Sequence, residues 1–269
     1  MPSEAVYIWA ETPEQDDRAA ELAQRLGLER IEEPAPGSFC LKVGADHLEL
    51  VHVDEDGRVP AGIVVDFASG PMRQLVRSAG KSQPLAKAVG AAKSPPYVLD
   101  ATAGLGKDTL FLATVGCRVL ALEKNPVIFA LLEDGYRRGL EDGLVGEILR
   151  ERVQFALGDS IEYLENIGPS EAPEVVYLDP MFPESKKSAL PKKEMQIFRA
   201  LIKEKIDEPR LFEAAVAKAK IRVVVKRPSS SEPLAEPITH RFDGKMVSYD
   251  SYLMSSVKPR YNYRTGEKR

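Results

Sequence analysis

Hydrophobic positions along the chain follow two rhythms, and the change between them marks out its parts. Near the start, Ala5-Val6-Tyr7-Ile8-Trp9-Ala10 is an apolar run of strand length. Thr12-Pro13-Glu14 then supplies an N-cap and a proline at the first helical position, and Ala19, Leu22, Ala23 and Leu26 repeat at helical spacing up to Gly27. After the break Pro34-Ala35-Pro36-Gly37, residues 39–41 and 47–53 predict a hairpin, and 62–67 a further strand. Residues 1–70 therefore read as a small α+β N-terminal subdomain. Residues 71–96 read as a helical connector, with helices over 72–78 and 85–89 around the polar patch Gly80-Lys81-Ser82-Gln83-Pro84.

From Tyr97 onward the rhythm becomes regular. Strands over 97–99, 118–122, 153–157, 175–178 and 221–225 alternate with helices over 107–115, 127–138, a short one after Ser160, 192–203 and 209–220. That alternation predicts a mostly parallel sheet with helices on both faces, an α/β domain over 97–257. Residues 241–254 alternate with period two, as an antiparallel hairpin closing the sheet would. The tail 258–269 is polar and basic, the composition of a flexible terminus.

The break between the first strand and helix of this domain carries the first chemical signal. Asp100-Ala101-Thr102-Ala103-Gly104-Leu105-Gly106-Lys107-Asp108 places two glycines in a strand-to-helix turn, where the absence of a Cβ lets the backbone turn tightly and a ligand approach. Four strands then end in an acid: Asp100, Glu123, Asp159 and Asp179. In an open parallel sheet these ends share one edge, where ligands bind. Glu123 lies 23 residues after Asp100, the spacing at which a carboxylate accepts both ribose hydroxyls of an adenosine. A dinucleotide would need a third glycine and a site free of acids for its pyrophosphate. Here Thr109 stands three residues after Gly106, and Asp100 and Asp108 flank the loop. Those acids favour a ligand with an ammonium and a sulfonium, so S-adenosylmethionine is preferred over NAD.

Asp179-Pro180-Met181-Phe182 indicates what such a cofactor would serve. The lone pair of an exocyclic amine is delocalised into its base. The Asp179 carboxylate and the Pro180 carbonyl could accept both N–H bonds and aim the lone pair at a methyl group, which is positioning rather than acid–base catalysis. Phe182 would stack on the extracted base. Asp179, Pro180 and Phe182 are thus the expected catalytic residues.

Charge adds a partner. Residues 1–179 hold 17 Lys+Arg against 30 Asp+Glu, whereas residues 180–269 hold 20 against 11. An acidic front and a basic back suggest one face made for a polyanion. Lys186, Lys187, Lys192 and Lys193 follow Phe182, and Lys226 and Arg227 follow the fifth strand, so all six are expected to hold RNA phosphates. Cys40 and Cys117 stand far apart in apolar surroundings and read as buried reduced thiols, and His47, His52 and His240 form no cluster with them, so no metal site is expected. With no apolar run of membrane-spanning length and no signal-peptide pattern, a cytoplasmic protein that does not enter the membrane is expected.

Long motifs in this chain resemble the ribosomal RNA small-subunit methyltransferase J family. They are Asp100 to Asp108, Val-Gly-Cys-Arg-Val at 115–119, Glu123-Lys-Asn-Pro126, Val-Val-Tyr-Leu-Asp-Pro-Met-Phe-Pro at 175–183, Lys-Ser-Ala-Leu at 187–190, Lys-Lys-Glu-Met at 192–195 and Val-Val-Val-Lys-Arg-Pro at 223–228, together with Val65-Asp66-Phe67 and Ala86-Lys-Ala-Val-Gly90. The resemblance runs through most of the chain beyond about residue 45. It implies a Rossmann-like class I fold and S-adenosylmethionine-dependent methylation of the N2 amine of one guanosine near the 3′ end of 16S rRNA. Implied cofactor contacts are Lys107 and Asp108, Glu123 and Lys124, Asp159 and Ser160, and Asp179, beside Asp100, Gly104 and Gly106 of the loop. Met181 stands where the general amino-methyltransferase motif has a second proline, a departure that this family shares. Asp-Pro-x-Phe also serves other amines, on other RNA, DNA or protein, and the family resemblance alone selects rRNA of the small ribosomal subunit.

Overall fold

A computed structural model describes residues 5–180, 206–257, 261–262 and 267–268. They fall into two compact units. One comprises residues up to Asp66 with Asn125–Arg138, and the other comprises Phe67–Lys124, residues 139–180 and the described residues from Ile206 onward.

The first unit begins with β1 (Val6–Ala10), followed by a single 3-10 turn over Pro13–Gln15 and helix α1 (Asp16–Leu26). Thr12 precedes the 3-10 turn, so the proline signal starts that turn and α1 begins three residues later. Asp16 and Asp17 in the first turn and Arg25 in the last complement the helix dipole. Gly27 ends α1 in the left-handed region, φ 65°, its N–H reaching the carbonyls of Ala23 and Gln24. Short β2 (Arg30–Ile31) and β3 (Phe39–Val43) both pair parallel with β1, and β4 (Leu48–His52) pairs antiparallel with β3. The predicted hairpin is therefore present. The strand expected over 62–67 is not: only the bridge Leu50↔Ile63 forms. Gly62 passes so close to Leu50 that a Cβ would lie 2.1 Å from its carbonyl oxygen, and the Gly62 N–H is taken by the Glu49 carboxylate.

The second unit opens with α2 (Gly70–Ser78) and α3 (Pro84–Val89), then β5 (Tyr97–Asp100), α4 (Lys107–Thr114) and β6 (Arg118–Glu123). Helix α5 (Pro126–Gly139) follows, and all but its last residue groups with the first unit rather than with the sheet strands beside it in sequence. Two contacts within the first unit explain this. Asp134 of α5 accepts the Leu48 backbone N–H at 3.0 Å, and Gly135 lies against Val65, where a Cβ would come within 2.6 Å of the Val65 carbonyl oxygen. An unexpected helix, α6 (Val145–Arg152), comes next, started by Asp142, whose carboxylate accepts the N–H groups of Leu144 and Val145 at 2.9 Å. The rest is β7 (Val153–Leu157), α7 (Ser160–Asn166), β8 (Val175–Leu178), α8 (Glu208–Lys218), β9 (Arg222–Pro228), β10 (His240–Asp243), β11 (Val247–Leu253) and α9 (Met254–Val257). Two short strands of the tail, β12 (Tyr261–Asn262) and β13 (Glu267–Lys268), pair antiparallel. The helix expected over 192–203 lies outside the described residues.

The seven-stranded sheet of this unit has the order β10-β11-β9-β8-β5-β6-β7, with β5 to β9 parallel and β11 antiparallel to β9 and β10. Chain progression reverses at β5, which places a ligand crevice at the carboxyl ends of β5 and β8. Central strands bury both faces, and Val223, Val224 and Val225 have no accessible surface. On one face Leu99, Val176, Leu178 and Val225 pack with Leu211, Phe212 and Ala215 of α8 and Leu164 of α7. Register does the positioning. Pairing Asp100 with Tyr177, and Leu178 with Val225, sets Asp179 and Lys226 side by side just beyond the ladder.

Candidate active site at the carboxyl edge of the sheet

Asp100 ends β5 with its carboxyl only 1% exposed. Thr109, in the first turn of α4, donates its hydroxyl to Oδ2 at 2.6 Å, and the Thr102 N–H reaches Oδ1 at 3.2 Å. Burial pushes this carboxyl up to about 7, with the charges of Asp108 and Asp179 adding to the shift against the Thr109 hydrogen bond. Asp100 thus ties the end of β5 to the loop and to the first turn of α4. Between these two elements Gly104 and Gly106 adopt φ of 53° and 77°, a region that costs other residues about 1–2 kcal/mol. The Gly104 N–H donates to Glu123 Oε2 at 2.9 Å, and the Ala103 N–H to the Leu122 carbonyl at 3.0 Å. The loop is thus stitched to the end of β6, and it holds the buried Glu123 carboxylate at its mouth.

Asp159 and Ser160 follow β7. Asp159 caps α7 by accepting the Ile161 N–H at 2.8 Å and takes the Lys124 ammonium at 3.2 Å. Burial opposes its ionisation, but the backbone N–H groups of Glu162 and Ile161 and the Lys124 ammonium outweigh it and hold the carboxyl below the usual range. Ser160 is buried and spends its hydroxyl on the Ala101 carbonyl at 2.7 Å, which fixes the root of the loop. Lys107, the first residue of α4, is exposed.

After β8, the Asp179 N–H donates to the Thr102 hydroxyl at 2.7 Å, and Pro180 is buried. The Lys226 ammonium donates at 2.7 Å to Oδ2 of Asp179 and at 2.7 Å to Oδ2 of Asp108, which also accepts the Tyr177 hydroxyl at 2.6 Å. Lys226 was expected to face RNA phosphates; it is instead turned into the site, because register puts it level with Asp179. Burial works against its charge, yet the two carboxylates hold it well above the ordinary lysine range. Burial also raises the Asp179 carboxyl, opposed by Lys226 and assisted by Asp108. Burial, with the Asp108 charge, pushes Tyr249 on neighbouring β11 up to about 12. Arg227, the next residue of β9, is half-buried. Nothing in the sequence alone pairs residues 108, 179 and 226; the clue that existed was a lysine directly after the run Val223-Val224-Val225. Met181, Phe182, Lys186, Lys187, Lys192 and Lys193 lie outside the described residues.

The site therefore gathers four carboxylates (Asp108, Glu123, Asp159, Asp179) around a loop of left-handed glycines, at the strand-order reversal of the sheet. Residues 21–254 match the family model described as "Putative SAM-dependent methyltransferase". The chain is 43% identical over 256 residues to ribosomal RNA small subunit methyltransferase J of Pseudomonas fluorescens (strain Pf0-1), covering 94% of this chain and 96% of the relative. It is 45% identical over 253 residues to the protein of that name from Tolumonas auensis, covering 93% and 98%. The chain belongs to this methyltransferase J family. A crystal structure of a SAM-dependent methyltransferase from Neisseria gonorrhoeae is similar to it with a TM-score of 0.72 and 30% identity, covering 94% of this chain and 97% of the other.

Membership of this family makes the protein an S-adenosylmethionine-dependent enzyme, and the donor set fits that cofactor. An adenosine with a cationic amino-acid arm needs a backbone that permits close approach, a carboxylate for ribose hydroxyls and acceptors for positive charge. Gly104 and Gly106 would supply the first, Glu123 the second, and Asp108, Asp159 and Asp179 the third. Among the described residues no group of three His, Cys, Asp or Glu side chains could hold a metal ion, and no helix is long and apolar enough to cross a membrane.

Proposed function

We propose that this chain methylates the exocyclic N2 amine of a specific guanosine near the 3′ end of 16S rRNA, in the small ribosomal subunit and in the cytoplasm. One observation carries the reading: Asp179-Pro180 follows β8 directly, with the Asp179 N–H held by Thr102 of the glycine loop. The proposed amine acceptor and the glycine loop are thus joined by one hydrogen bond, from a backbone N–H to a threonine hydroxyl. The names of the relatives support rRNA of the small subunit as the substrate class.

Bound S-adenosylmethionine supplies an electrophilic methyl group. The chain's own residues then have two tasks, holding and aiming. Glu123 engages the ribose hydroxyls, with Lys107, Asp108, Lys124, Asp159 and Ser160 lining the rest of the cofactor site. The Asp179 carboxylate and the Pro180 carbonyl accept the two N–H bonds of the guanine amine and turn its lone pair toward the methyl; as the N–C bond forms, the sulfonium C–S bond breaks to leave a thioether, and the methylated amine then gives up one proton to solvent. Phe182 stacks on the base. Lys186, Lys187, Lys192, Lys193 and Arg227 hold phosphates, which gives affinity and register without reading sequence.

The test incubates the protein with radiolabelled S-adenosylmethionine and small subunits lacking the modification, then maps the label. Label on guanine N2 near the 3′ end of 16S rRNA is expected. Label on protein, DNA or another RNA, with none on that guanine, would overturn the assignment.

A further inference from the structure

We propose that Lys226 is a positioning residue for methyl transfer, its ammonium clamping the Asp179 carboxylate in its ionised form as the acceptor for the target amine. The inference rests on the role given above to Asp179.

Geometry carries it. Lys226 donates to Asp179 Oδ2 and to Asp108 Oδ2 at 2.7 Å each, so one ammonium links the first turn of α4 to the segment after β8. It engages Oδ2 of Asp179, while Oδ1 takes no partner among the described residues and is the oxygen left for an amine. A carboxylate can only accept hydrogen bonds, whereas a protonated carboxyl also donates one and would compete for the amine's lone pair. The site works against ionisation. Asp179 is partly desolvated, and the carboxyl groups of Asp100 on β5 and Asp108 on α4 lie close enough to influence it. Tyr177 on β8 and Tyr249 on β11 complete the surroundings, and burial keeps both phenols neutral. Lys226 is the cation that the described surroundings offer to offset those charges. A purely structural ion pair would tie β9 to α4 without moving the acid limb of kcat, and that difference can be measured.

Wild type, Lys226→Met, Lys226→Arg and Asp108→Asn are compared, with thermal melting as the check on folding. One readout is titration of the Asp179 carboxyl in the ligand-free protein, by NMR with 13Cγ-labelled aspartate, the resonance assigned by its loss in Asp179→Asn. The other is the pH profile of methyl transfer at saturating S-adenosylmethionine. Lys226→Met should raise the Asp179 titration by roughly one to three pH units and carry the acid limb of kcat up with it, so that activity lost at neutral pH returns in alkali. Lys226→Arg should leave both near wild type. Asp108→Asn removes a like charge and should move both to lower pH. An unmoved Asp179 titration in Lys226→Met, or activity lost at every pH, would overturn the proposal. Should that variant not fold, Asp108→Asn decides, and a titration that stays put or rises overturns it. If wild type methylates no guanine, the proposed function fails, while the ligand-free titration still decides what Lys226 does to Asp179.

Discussion

The backbone N–H of Asp179 donates to the Thr102 hydroxyl at 2.7 Å, across 77 positions of sequence. Thr102 also gives its own N–H to Asp100. One threonine thus ties the glycine loop to the ends of both β5 and β8. Thr102→Val keeps the shape and removes the acceptor, leaving the Asp179 N–H without that partner at a cost of about 1–3 kcal/mol. The expected result is kcat lower by about tenfold or more, with a smaller change in the S-adenosylmethionine dissociation constant, since the backbone that aims Asp179 has lost its anchor. Steady-state kinetics beside calorimetric binding would check this. An unchanged kcat in a folded variant would show that Thr102 does not position Asp179.

Gly106 starts α4 with φ 77°, and any side chain there is strained by about 1–2 kcal/mol. Gly106→Ala puts that strain into the turn that shapes the loop. Cofactor affinity should fall by about tenfold, while Asp179 and its lysine clamp stay in place. Isothermal titration with S-adenosylmethionine reads the first quantity, and the carboxyl titration of Asp179 reads the second. Weakened binding together with a displaced Asp179 titration would count against a loop that acts on the cofactor alone.

Asp100 makes the fold's stability depend on pH. Its buried carboxyl titrates at about 7 in the folded chain, above the ordinary aspartate range it has when unfolded. Folding therefore takes up a proton between those values. The group costs nothing below about pH 4, and its penalty grows as pH rises toward 7 and then stays constant. Asp100→Asn should accordingly gain on the wild type between pH 5 and pH 8, by roughly one to a few kcal/mol. Urea unfolding of the ligand-free protein at both values checks the sign. A difference that does not change with pH would mean that Asp100 titrates alike in both states.

How far the sequence reached depends on how local each cause is. The strands 97–99, 118–122, 153–157 and 175–178 were legible because short, largely apolar runs between turn signals need no distant partner to be recognised, and all four form within a residue or two of those limits. The positions of the motif acids at strand ends were legible, but their individual contacts were not. Asp100 and Asp159 each carry the same turn signal, yet one is consumed by Thr109 and Thr102, while the other caps α7 and takes Lys124. Lys226 shows the limit most clearly. Basic residues after an apolar strand read as a surface for phosphate, and only the pairing of Leu178 with Val225 reveals that this lysine stands beside Asp179. The misread stretch 62–67 has a similar origin, since the close pass of Gly62 over Leu50 is a tertiary contact that no periodicity encodes.

Asp134 is a further residue that periodicity could not single out, and it organises the first unit. Its carboxylate is 3% exposed and takes Arg18 at 2.9 Å, Arg138 at 3.0 Å, Arg137 at 3.2 Å and the Leu48 N–H at 3.0 Å. Burial opposes its charge, but the Leu48 N–H and the guanidinium groups of Arg138 and Arg137 prevail and hold it below the usual carboxylate range. A depressed acid contributes stability above its unfolded value and loses it as pH falls through the folded one. Asp134→Ala leaves the Leu48 N–H and three arginines without their acceptor. Those arginines are partly exposed and recover water, so the cost should lie near 1–3 kcal/mol, below that of breaking a fully buried pair. Chemical denaturation at pH 7 should show that loss, and the gap to wild type should narrow as pH falls below the ordinary aspartate value, where the unfolded chain takes up the proton before the native one. A gap that widens in acid would contradict the sign of the Asp134 contribution, and with it the view that its charge, rather than its packing, holds α5 to the first unit.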